Sequence, residues 1–223
     1  MPYIGLALFA EGATDYRFLS PLLLRAVTYL CLKHGQTRID VGDVIPLDAP
    51  GDYRDEKRAV RIREAAKQAW GGFHLLFVHS DGSNDSDRVR DEQVNPGLDE
   101  IKELAGTEPY AGVAVVPVRE TEAWILCDGN ALRVAFQTSL TDEQMNLPRP
   151  PREAERDLDP KRTLRDAYLE VVGGASRARG RSVVSFFPLL GETVDLARLE
   201  QLPSFKRFLA DLHTALMRLG VIQ

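Results

Sequence analysis

The chain has 223 residues, 44% of them apolar and 27% charged, with a formal net charge of −5. That is enough for one large domain with its own core, or a core with an appendage. It excludes a disordered chain and a protein that coats nucleic acid through a global basic field.

"YIGLALFA" (3–10) is a continuous apolar run ended by Glu11 and Gly12, and the pattern predicts a buried strand. Gly12 is expected to let the chain turn tightly. Thr14 or Asp15 then caps a helix whose apolar face is Phe18, Leu19, Leu22, Leu23, Ala26, Val27 and Leu30. "IDVGDVIPL" (39–47) predicts a second strand, and 54–70 an exposed, charged helix. "FHLLFVHS" (73–80) predicts a third strand, followed at once by Asp81, and 88–105 another helix. "GVAVVPV" (112–118) is a fourth strand ended by Arg119 and Glu120, and "TEAWILCD" (121–128) turns straight into a helix.

Strands alternating with helices predict an α/β fold with a mostly parallel sheet covered by helices. This unit spans 1–137. Residues 138–157 are polar and proline-bearing, and read as a linker or long loop. Beyond it lie a helix at 159–174 with Pro160 in its first turn, a basic loop at 175–181, and an amphipathic helix at 204–220. Ser204 is expected to cap that last helix and Gly220 to stop it. Residues 138–223 thus form a helical extension packed on the core.

Ligands of parallel sheets bind beyond the carboxyl ends of the strands. Three strands here end in an acid: Glu11, Asp81 and Glu120, with Glu122 and Asp128 close behind. Such a set suits a hard divalent cation, which takes one to a few carboxylates. The run "DGSNDSDRVRDE" has acids at EF-hand spacing, but Ser86 stands where that loop needs glycine, and a strand precedes it. It is a loop with one or two metal-facing acids. His79 is placed to hold a carboxylate or to pack in the strand. Lys161 and Arg162 open a helix, where an anion is favoured. Arg177, Arg179 and Arg181 could track a phosphate backbone. Two cysteines, Cys31 and Cys127, sit in apolar segments and form no zinc motif. Together with an N-terminus lacking a basic leader, they point to the cytoplasm and away from a membrane.

"AEGATDYRFLSPLL", "LLFVHSDG", "VPVRETEAWILCD", "DPKRTL" and "LPSFKRFLADL" resemble an uncharacterised bacterial TOPRIM-like family. That fold is shared with topoisomerases, primases and the overcoming-lysogenization-defect nucleases. The resemblance implies strand-end acids that hold Mg2+ (or Mn2+) for phosphoryl transfer on DNA or RNA. It makes Glu11 a metal ligand or general acid/base, Asp81 the first acid of a DxD pair, and Glu120 with Glu122 the acidic pair of the nuclease branch. Asp128 becomes the acid that follows, and Lys161 a phosphate contact. Ser83 stands in place of the second DxD aspartate, so one metal or two is left open. An ATPase partner and a role against phage are implied by the resemblance alone. The residues also allow a non-catalytic module that binds a partner protein or nucleic acid, and a phosphohydrolase acting on a small substrate.

Overall fold

The computed structural model describes residues 3–174 and 182–223. Four strands form one all-parallel sheet in the order β2-β1-β3-β4. These are β1 (Tyr3–Phe9), β2 (Asp40–Leu47), β3 (Leu75–His79) and β4 (Ala111–Val115). The helices of the first half are α1 (Ala13–His34), α2 (Arg58–Gln68), α3 (Ser86–Val89), α4 (Asn95–Ala105), α5 (Glu122–Leu126) and α6 (Gly129–Phe136). The second half adds α7 (Pro160–Val172), α8 (Phe187–Thr193), α9 (Leu196–Leu199) and α10 (Pro203–Arg218). The expected α/β architecture is therefore the one adopted. No helix among the described residues is long and apolar enough to cross a membrane.

Strand alternation divides the core. Ile4, Leu6, Leu8, Phe77 and Val115 face one side, where α1 and α10 lie and α8 packs outside α1. Ala7, Phe9, Leu76, Val78 and Ala114 face the other, against Ile62 and Ala66 of α2 and Ile101 of α4. Both faces are buried, which is why these strands read as unbroken apolar runs. Register is eased at Gly5, where β1 shifts against β2. A Cβ there would lie 2.5 Å from the Gly72 carbonyl oxygen, so only glycine permits this close approach.

The C-terminal half completes the core of the first half. Phe208 meets Phe77 of the sheet at 6.1 Å and Trp124 at 6.0 Å between ring centres, and Phe205 meets Trp124 edge-on at 5.0 Å. The Trp124 indole N–H donates to Ser204 Oγ at 2.8 Å. Ser204 in turn donates to Glu155, which lies in a short 3-10 turn at Pro151–Arg156. Ser204 therefore does not cap α10, as its side chain suggested. The cap position is Leu202, with Pro203 opening the helix, and the Ser204 hydroxyl is spent on linking Trp124 to Glu155.

Glu155 is buried, and burial raises its pKa above the ordinary 4.5 despite the two Ser204 donors. A raised folded-state value means the stability it contributes is complete below pH 4.5 and is lost as pH rises through the raised pKa. Glu155→Gln keeps an oxygen acceptor for Ser204 and removes this titration. Thermal melts of that variant should change less than wild type across this acidic window. Glu155→Ala, which strands the Ser204 donors, should cost about 1–3 kcal/mol. Equal pH profiles for wild type and Glu155→Gln would contradict the assignment.

Candidate functional site

From β1 the chain moves to β2 on one side and to β3 on the other, so the strand order reverses between β1 and β3. A crevice opens at such a point beyond the carboxyl ends of the strands. Glu11 follows β1 there and Asp81 follows β3.

Glu11 accepts a 2.5 Å hydrogen bond from Ser80 Oγ. Arg58, at the start of α2, reaches its Oε1 at 3.5 Å and donates to the His79 carbonyl at 2.6 Å. The same guanidinium lies 5.6 Å from the centre of the Phe9 ring. Arg58 thus ties the ends of β1 and β3 together. Burial lowers its pKa, and Glu11 pushes it back up. Arginine stays charged throughout, so this is a fixed cation beside the acids.

Gly12 caps α1 in an extended conformation, φ −137°, which any residue adopts. The tight turn expected of it is therefore not there. Its N–H donates to Asp15 Oδ2 at 2.9 Å, so Asp15 closes the helix start from within. Asp15 is buried and faces the site: Oδ2 is 3.7 Å from His79 Nε2.

His79 ends β3 and is fully buried. Its Nδ1 lies 3.0 Å from the Val115 carbonyl oxygen, which can only accept, so Nδ1 carries a proton. Nε2 lies 3.4 Å from Asp81 Oδ1, and neither atom has a hydrogen bond of good geometry. Burial alone presses the His79 pKa down. The contact with Asp81, the charge of Asp15 and the Val115 carbonyl outweigh it and hold the pKa above the ordinary value. Asp15 is shifted upward, first by burial and further by the charges of Asp81 and Glu11, against the pull of His79 and the Gly12 N–H.

Asp81 and Glu120 line one cavity of about 400 Å3 with Ser83, Asn84, Arg119 and Asp159. Its floor is made by two loops pressed together. Gly82 N–H donates to the Pro117 carbonyl, and a Cβ at Gly82 would sit 2.1 Å from that oxygen. Ser83 and Arg119 both have left-handed backbones, φ 50° and 64°, and Ser83 N–H donates to the Arg119 carbonyl at 3.3 Å. Arg119 also donates to Asn84 Oδ1 at 2.8 Å. Non-glycine residues held this way store strain, a common mark of functional sites. Burial raises the Glu120 pKa, Lys161 opposes it, and the charges of Asp81 and Asp159 add to the rise.

The structure therefore brings Asp81 and Glu120 to one cavity and leaves Glu11 outside its lining, beside Ser80 and Arg58. Glu122 is buried at the start of α5 and opens onto a neighbouring groove with Lys161 and Arg162. Burial raises its pKa as well. Asp128 has a different task. Its Oδ1 caps α6 by accepting from the Asn130 and Ala131 N–H groups, and its Oδ2 accepts from the Asp195 N–H at 2.9 Å. It ties α6 to the segment before α9, with both oxygens already taken by backbone donors. Asp85 caps α3, and Asp87 pairs with Arg207 of α10, so neither replaces the acid missing at Ser83. Arg177, Arg179 and Arg181 lie outside the described residues.

Among the described residues, no three His, Cys, Asp or Glu side chains close on one point as a ready-made metal cage. The donor chemistry still fits magnesium or manganese. Such ions need hard oxygens, take as few as one or two carboxylates, and keep the rest of their shell for water and phosphate. It does not fit zinc, whose sites are built chiefly from three or four His and Cys donors.

Asp15, Arg58, Ser80 and Arg119 are site residues the sequence reading missed. Asp15 carries a signal, since it stands three residues after the Gly12 cap, at the capping-box position. Arg58 carries none among the neighbouring arginines. No protein-family model, curated protein or solved structure matches the chain.

Proposed function

We propose that this chain is a magnesium- or manganese-dependent nuclease, or a related phosphoryl-transfer enzyme, acting on DNA or RNA. The observation that carries this reading is the pairing of Asp81 and Glu120 in one cavity beyond the carboxyl ends of β3 and β4. Asp81 and Glu120 would hold the cation, with Glu11 behind them, bonded to Ser80 and paired with Arg58. When bound, it neutralises phosphate charge and makes a bound water more acidic. The chain's own residues do the rest. His79 and Ser80 orient Asp81 and Glu11 from behind, and Arg58 keeps the two strand ends in register. Lys161 and Arg162, at the start of α7, take a flanking phosphate. An ATPase companion and a role against phage join this reading through the family resemblance alone.

A second reading is a binding module without catalysis. Ser83 in place of an acid, and the existing ion pair of Glu11 with Arg58, favour it. The deciding experiment offers supercoiled, linear and single-stranded DNA, and RNA, with magnesium, manganese or chelator. Metal-dependent cleavage is expected. Its absence, with the protein alone and with an ATPase partner, would leave the binding module standing.

A further inference from the structure

We propose that the groove beside the acid cavity is a nucleotide subsite in which Glu122 accepts hydrogen bonds from the N–H edge of a base, guanine best of all. This rests on the nucleic-acid reading above and adds a substrate preference to it.

Asp159 lines both the acid cavity and the groove, so a strand lying over one continues into the other. The groove holds about 590 Å3, within the range of small-molecule sites. Its walls divide by chemistry. Leu164, Val183 and Val184 offer an apolar face. Lys161 and Arg165, one helical turn apart on α7, offer cations. A nucleotide has these same halves, a flat apolar base and an anionic phosphate.

Glu122 is the polar group between them. It is 7% exposed, and its one side-chain hydrogen-bond partner among the described residues is Thr121 Oγ1 at 3.3 Å, long for a hydroxyl bond. Its own backbone N–H donates to the carboxylate as well, and the acceptor capacity left over opens onto the groove. Glu122 opens onto the groove, whereas Asp81 and Glu120 line the acid cavity, though the charges of both still reach it. Guanine presents N1–H and N2–H side by side, which match the two oxygens of a carboxylate. Uracil presents a single N–H between two carbonyl oxygens, which a carboxylate repels.

The test is binding of guanosine and uridine monophosphates in the presence of chelator, followed by chemical-shift mapping and calorimetry. No cleavage is measured, so failure of the nuclease reading leaves this result independent. Wild type should bind the guanine nucleotide roughly tenfold tighter. Glu122→Gln should lose that preference, and Arg165→Ala should weaken both nucleotides alike. No binding of either nucleotide, or a preference that survives Glu122→Gln, overturns the proposal. If Glu122→Gln does not fold, mapping on wild type decides: shifts centred on Lys161, Arg165, Val183 and Val184 support it, and shifts centred elsewhere overturn it.

Discussion

Asp81→Asn is expected to lower metal-dependent cleavage by at least about 100-fold while the protein stays folded. Loss of a group that merely supports a metal ligand already costs about 10- to 100-fold, and Asp81 is placed to be a ligand itself. Asparagine keeps the size of the side chain and one oxygen, and removes the charge that a hard cation needs. Asp81 is also the acid whose charge is felt by Asp15, His79, Glu120 and Glu122 together. Removing it should bring the pKa values of Asp15, Glu120 and Glu122 down, and that of His79 with them. The measurement is kcat/KM against magnesium concentration, with a thermal melt as the folding control. Activity within a few-fold of wild type in a folded Asp81→Asn protein would remove Asp81 from the site.

Phe208→Ala should cost about 3–5 kcal/mol, a drop in Tm of roughly 10 °C for a chain of this size. Phe208 is 1% exposed and touches Phe77, Trp124 and Phe205. It joins the middle of the sheet to the helix that begins just after Glu120. Alanine leaves a cavity that three rigid aromatic neighbours cannot fill by small rotations. Phe208→Leu, which keeps most of the volume, should cost far less. A shift of under about 2 °C for Phe208→Ala would show that α10 is an accessory to the core.

The layout of the sheet was legible because β1, β3 and β4 are buried on both faces and read as apolar runs, as in "LLFVH" at β3. Glu11 and Asp81 stood out because each follows such a run just past the carboxyl end of its strand, whereas β4 ends at Val115 and Glu120 lies further along, in the loop before α5. What could not be read depends on chain crossings. Asp128 and Glu122 look alike in sequence, each an acid at a helix start, yet a backbone N–H from Asp195 makes one of them structural. Ser204 has the composition of a cap and serves Trp124, 80 residues away. Arg58 matters through two strand ends distant in sequence. Helices α8 and α9 are too short for apolar periodicity to register, and their place is set by packing on α1 and by the Asp195 cap.

The helical segment that follows the β3 loop, beginning with α3, is clasped by α10. Asp87 pairs with Arg207, and Arg90 with Asp211. During synthesis, β1 to β4 leave the ribosome well before α10, and domains fold as their residues emerge. A nascent chain can therefore hold Glu11, Asp81 and Glu120 long before the segment that carries Arg207 and Asp211 exists. A chain cut short before residue 203 should carry the acids without these two ion pairs.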